Sequence, residues 1–135
     1  MRNVLAAENY LLLANFRHTL RRFLSFSESK AREFGLTPQQ HQALLAIKAA
    51  EPGKATVGYL AEMLMLKPHS ASGLVDRLEA MDLLDRRSSA HDRRKAELVL
   101  SEWAESVLAD LSATHLEEIR RLRPMLASLL DQICE

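Results

Sequence analysis

A single cysteine, Cys134, leaves no thiol for an intrachain disulfide and excludes the disulfide-stapled folds of oxidising compartments. Four glycines and four prolines are too few for a β-rich fold with many tight turns. No apolar run approaches the roughly 20 residues that cross a bilayer. The first stretch, MRNVLAAENYLLLANFRHTLRRF, has charges inside its apolar part and no cleavage-like site. Neither a signal peptide nor a membrane partner is expected, and the cytoplasm is the expected compartment. The formal net charge is zero, which argues against a chain that simply coats a polyanion.

What is present favours helix. Hydrophobic residues make up 47% of the chain, enough for a core, and Leu, Ala, Glu and Arg dominate. The 135 residues are expected to form a single domain, 1–135. Charge is unevenly spread. Residues 1–66 carry 8 basic and 5 acidic side chains, residues 67–95 carry 7 and 5, and residues 96–135 carry 3 and 8. One basic face can therefore coexist with an acidic remainder.

Along the chain, Leu5, Leu12, Phe16, Leu20, Phe23 and Leu24 recur at helical spacings, predicting one long helix over 4–33. Its apolar stretch at Tyr10–Phe16 is more than a small domain covers easily, which points to a partner chain. Gly35 is a stop signal. Thr37-Pro38-Gln39-Gln40 is a capping box with Pro at the first helical position, opening a helix that runs to Ala50. Thr56 caps a short helix with Val57, Leu60, Ala61 and Leu64 inward. Met65-Leu66-Lys67 makes a turn, and Pro68 opens a helix over 68–81 with Ala71, Leu74, Val75, Leu78 and Met81 on one face. Leu83–Ser88 and Lys95–Leu100 read as two strands around a tip at Ser88–Arg94. Ser101 caps a further helix carrying Trp103, Val107, Leu108, Leu111, Leu116 and Ile119, with Trp103 expected in the core near the wing base. Pro124 is expected to break or kink it before a last helix with Met125, Leu126, Leu129, Leu130 and Ile133.

Two short helices, a tight turn and a β-hairpin make a winged helix. The expected fold class is mainly α, a winged helix-turn-helix with a small β-hairpin wing. The N-terminal part of a recognition helix presents side chains to base edges in the major groove. Here that part offers His69, Ser70 and Ser72, with Arg77 about two turns on in reach of the backbone. A helix pair alone is as often an ordinary packing motif, and Asp76 and Glu79 repel phosphates. The hairpin tip shifts the balance towards DNA, against a merely solvated charged turn: Ser88-Ser89-Ala90-His91-Asp92-Arg93-Arg94-Lys95 sets three successive basic residues on a turn. An arginine there can enter the narrow, electronegative minor groove, and an adjacent Asp can hold its guanidinium.

Residues 37–105 resemble the MarR family of bacterial transcriptional regulators. The resemblance rests on LTPQQHQALLAI, on YLAEMLMLKPHSASGLVDRLEAMDLLDR, and on Asp92-Arg93-Arg94 followed by Leu100-Ser101-Glu102. It implies a homodimer in which N- and C-terminal dimerisation helices, about 4–33 and 102–135, interlock around a DNA-binding lobe of about 37–100. Each lobe would read half of a palindromic operator in double-stranded DNA. It implies DNA contacts by His69, Ser70, Ser72, Arg77, Arg93 and Arg94, with Asp92 positioning a wing arginine. Met65 stands where the family's turn usually carries Gly, and Lys67 where a Ser or Thr cap is usual, so Lys67 becomes a candidate phosphate contact. A small-molecule effector is implied between the dimer helices and the DNA-binding lobe, with Phe16, Leu20, His41 and Leu111 as candidate lining; each is equally good core. The expected function is a ligand-responsive repressor. The alternative is a winged helix that meets an acidic protein partner.

Other chemistry is not expected. His18, His41, His69, His91 and His115 show no metal-ligand spacing. Cys134 has no partner thiol or neighbouring base. Ser101, Asp110 and His115 share one helix and lack a nucleophile elbow, so no catalytic triad is read. No cofactor is called for.

Overall fold

The computed structural model describes residues 4–88 and 96–133. In chain order the elements are α1 (Ala7–Glu33), α2 (Pro38–Ala49), α3 (Val57–Met63), α4 (Pro68–Ala80), β1 (Leu84–Ser88), β2 (Ala96–Leu100) and α5 (Glu102–Asp131). Mainly helical, with one two-stranded antiparallel hairpin, this is a winged helix.

The helix starts follow from local chemistry. Thr37 Oγ1 accepts from the Gln40 amide at 3.1 Å, while the Gln40 side chain accepts from the Thr37 amide at 3.0 Å, completing the capping box. Thr56 caps α3 through the Tyr59 amide, and Ser101 caps α5 through the Ala104 amide. Both satisfy donors that the first helical turn leaves unpaired.

Three helix ends share one device. Gly35, Met65 and Asp82 take positive φ values of 76°, 56° and 58°. Each is followed by a leucine whose amide bonds back five residues: Leu36 to Ala31, Leu66 to Ala61 and Leu83 to Leu78. Leu36 and Leu83 are buried, and Leu66 packs against the core. The turn thus both ends the helix and pins the chain.

The core gathers Leu44, Leu60, Leu74, Val75, Leu78, Leu83, Leu84, Leu98, Leu108 and Leu111. The helix α2 lies at its centre, touching α1, α3, α5 and β2. The hairpin register pairs Leu84 with Leu100 and Arg86 with Leu98. Two hydrogen bonds fasten β2 to the α2–α3 connection: the Leu98 amide to the Ala55 carbonyl at 2.7 Å, and the Gly53 amide to Glu97 Oε1 at 3.0 Å.

Two sequence expectations are corrected. Pro124 does not divide the C-terminal helix; α5 runs through it from Glu102 to Asp131. A mid-helix proline costs about 3 kcal/mol, but Leu122 and Leu129 are both buried on either side of it, and Met125 sulfur lies 3.0 Å from the Thr19 hydroxyl of α1. Packing against α1 supports both halves as one helix. Trp103 is not core but 55% exposed. The buried stripe of α5 is Ala104, Val107, Leu108 and Leu111, and Trp103, one residue before its first member, falls about 100° round the helix from it. Among the described residues, no helix is long and apolar enough to cross a membrane.

Candidate nucleic-acid interface

The helix α4 sits one tight turn after α3, the order a helix-turn-helix requires. Its apolar positions Ala71, Leu74, Val75 and Leu78 are buried, which fixes its rotation about its own axis. Lys67, Pro68, His69 and Ser70 are left exposed at the N-terminal end and Ser72 half-buried. Lys67 is the N-cap residue, with extended backbone (φ −67°, ψ 147°); its ammonium has no acceptor with which to cap the first-turn amides, and its side chain is exposed. Pro68 at the first turn removes a donor that would go unpaired there anyway.

Arg77 is exposed, and its side chain runs back towards the helix N-terminus: a Cβ built on Gly73 would lie 3.6 Å from Arg77 Nη1. Gly73 thus leaves the guanidinium lying along the outer face. Lys67, His69, Ser70, Ser72 and Arg77 are therefore carried together on one helix, on and beside its outer face. The other sequence candidates, Asp92, Arg93 and Arg94 at the wing tip, lie outside the described residues, as do His91 and Lys95. Of the two wing strands, β1 lies beside α4 and β2 pairs with β1 and packs on α2 and α5.

Sequence reasoning missed one residue. Arg86, on β1, places Nη2 2.7 Å from Asp76 Oδ1 and Nη1 3.0 Å from Glu79 Oε1, both on α4. The hydrogen bond to Asp76 is the main cause that holds its pKa above the ordinary value, helped by the charges of Glu79 and Asp76. The signal was available: period-two alternation puts Arg86 on the face of β1 that Leu84 buries, and Asp76 and Glu79 stand three apart on a helix. The two carboxylates that counted against DNA binding are not bare.

The four candidate effector residues are not brought together. Phe16 lines a hollow of about 370 Å³ with Leu5, Leu12, Leu13 and Ile133. Leu20 lines a different one, of about 250 Å³, with Phe23, Ile119 and Leu122. Leu111 is fully buried core, and His41 is buried against His115 with ring centroids 4.8 Å apart. Phe16 and Leu20 stay exposed along α1, while His41 and Leu111 are buried inside.

The His41–His115 contact joins α2 to α5. The Leu111 carbonyl accepts from His115 Nδ1 at 2.6 Å, and the Ser27 hydroxyl of α1 can then donate to Nε2 at 2.8 Å. Phe23 and Phe26 meet the His115 ring edge-on. His41 Nδ1 is buried without a hydrogen bond. Burial first, and the neighbouring His115 second, lower the His41 pKa from 6.5. Among the described residues no group of three or more His, Cys, Asp or Glu side chains could hold a metal ion.

Comparison with known proteins agrees with this geometry. Residues 34–95 match the sequence model of the MarR family. No curated protein matches the chain. AbsC, a MarR family transcriptional regulator from Streptomyces coelicolor, is 22% identical with a TM-score of 0.77, over 99% of this chain and 94% of that one. The Staphylococcus aureus MepR–DNA complex is 20% identical with a TM-score of 0.70, over 87% of this chain and 91% of the other. The transcriptional regulator Tm0710 from Thermotoga maritima is 28% identical with a TM-score of 0.60, over 87% and 88%.

Proposed function

We infer, from the match of residues 34–95 to the MarR family model and the winged-helix fold, that the protein is a sequence-specific, double-stranded DNA-binding transcription regulator. It acts as a homodimeric repressor, in the cytoplasm, with residues 1–135 working as one unit. The observation that carries this reading is the N-terminal half of α4. It is fixed in rotation by its buried stripe and displays Lys67, His69 and Ser70 outward, with Ser72 half-buried beside them. A helix presented this way can lie in the major groove with its N-terminal residues on the base edges.

The roles divide by chemistry. His69, Ser70 and Ser72 are short enough to read base edges at the groove floor. Lys67 and Arg77 flank them and meet phosphates, which adds affinity and a salt dependence but no sequence preference. Arg93 and Arg94 serve the adjacent minor groove from the wing, with Asp92 orienting one guanidinium. Two copies would hold their recognition helices about 34 Å apart, matching one DNA turn and a palindromic operator. A small-molecule effector would act only through its different affinity for two such spacings. The fold neighbour from Staphylococcus aureus was solved as a DNA complex, which supports DNA as the partner.

Selecting duplexes from a randomised pool and measuring binding against salt tests the reading. A selected palindrome, bound far more tightly than a scrambled duplex and lost steeply with salt, is the expected result. Arg94→Ala should weaken binding and lower the salt slope by about 1 if it meets a phosphate, or relax sequence preference beside the helix site if it reads the minor groove. No enrichment over the input pool would instead favour a winged helix that serves a protein contact.

A further inference from the structure

The wing is held from both of its strands, in different ways. The strand β2 is fastened through its backbone and Glu97 to the α2–α3 connection. The strand β1 is fastened to α4 through Arg86, whose two terminal nitrogens each take a different carboxylate, Asp76 and Glu79, at 2.7 and 3.0 Å. Those carboxylates stand almost one helical turn apart, so the planar guanidinium spans the gap and cannot pivot as a single ammonium contact could. Nothing in the fold's stability calls for this. The three side chains are 31%, 66% and 41% exposed, and exposed ion pairs add little to stability.

The geometry points to Arg86 as a positioning residue for DNA binding, one whose fork on Asp76 and Glu79 sets the angle between the wing and the recognition helix. The inference rests on the DNA-binding reading above. A wing arginine reaches the minor groove only when α4 is seated in the neighbouring major groove, so the two elements must be locked in one mutual orientation. A salt-bridged fork between them supplies that lock while Leu84 anchors the root of the strand in the core.

A purely electrostatic role and a positioning role make opposite forecasts for the near-isosteric pair Asp76→Asn with Glu79→Gln. Electrostatics alone says that removing two negative charges tightens binding to every duplex. Positioning says that the unclamped wing weakens binding to the duplex that wild-type protein selects from a random pool. The expected loss is about tenfold, the size of one lost base contact, while a scrambled duplex is bound equally or more tightly. Arg86→Lys, which keeps the charge and loses the fork, should show the same loss on the selected duplex with an unchanged salt slope and a nearly unchanged melting temperature. Tighter or equal binding of the selected duplex by the carboxamide pair overturns the proposal, as does full activity in Arg86→Lys. If wild-type protein enriches no duplex, the parent reading fails at that step, before any variant is compared, and the proposal falls with it.

Discussion

The imidazole of His41 is buried between helices, beside a second imidazole and with Nδ1 unbonded. Each fact disfavours its charged form, and its pKa lies below the ordinary 6.5. Below about pH 6.5 the unfolded chain takes up a proton that the folded chain refuses. Stability from this residue is therefore complete above that pH and falls as the pH drops towards the folded value. The slope cannot exceed about 1.4 kcal/mol per pH unit for one proton. Thermal melts of wild type and His41→Leu between pH 8 and pH 5 should diverge in slope below pH 6.5, with the wild type losing stability faster. Parallel curves would mean that His41 is protonated as readily in the fold as in the unfolded chain. Core residues nearby answer to simpler physics. Leu44 is fully buried in α2, and Leu44→Ala should cost about 2–5 kcal/mol in urea unfolding, through lost transfer energy and the cavity left behind.

Secondary-structure elements were legible wherever their signals are local. The capping box at Thr37, the caps at Thr56 and Ser101 and the proline openings at Pro38 and Pro68 need only neighbours in sequence, and all stand as read. Legibility failed where the answer lay across the fold. Pro124 reads as a break until Leu122 and Leu129 are seen packed on α1, and Trp103 reads as core until the Ala104 stripe fixes which way α5 faces. The exposure of Lys67, His69 and Ser70 was legible because burial of one helix face exposes the other. The separation of Phe16 and Leu20 into different hollows was not, since membership of one cavity depends on how helices meet. Met65 lies between these cases. The sequence placed a non-glycine residue in the turn, and the structure gives it a φ of 56°. A left-handed non-glycine residue costs roughly 1–2 kcal/mol, part of which glycine's greater unfolded-state freedom would offset. Because Met65 is 92% exposed, no packing is lost on truncation. Met65→Gly should stabilise by about 0.5–1 kcal/mol, and Met65→Ala should be near neutral. Chemical denaturation of both variants checks this, and a less stable Met65→Gly would show that the turn carries no strain.

At the scale of the whole molecule, one chain leaves too much apolar surface uncovered. Tyr10, Leu11, Leu13 and Leu24 of α1 are each more than half exposed, as are Leu116 of α5 and Ile133 just beyond it. The hollow between the two chain ends is lined by Leu5, Leu12, Leu13, Phe16 and Ile133, with Asn9 its one polar side chain. A second copy of the same two helices would cover this surface, and in a two-fold contact each substitution counts twice. Leu13 is the informative site. Its side chain is 55% exposed within the chain, so an aspartate there is solvated in the single chain and would be desolvated only in the proposed homodimer. Leu13→Asp should leave the melting of the isolated chain nearly unchanged and raise the dimer dissociation constant by at least about 100-fold. Operator binding should then fall further than any loss at the DNA surface could explain. Two linked half-site contacts gain on the order of 10²–10⁴ from effective concentration, and a monomer forfeits that gain. Sedimentation equilibrium and titration of a palindromic duplex against a single half-site measure both effects together. A variant that remains dimeric would move the interface off this surface. A monomer that still prefers the palindrome to the half-site would separate operator recognition from the pairing of chains.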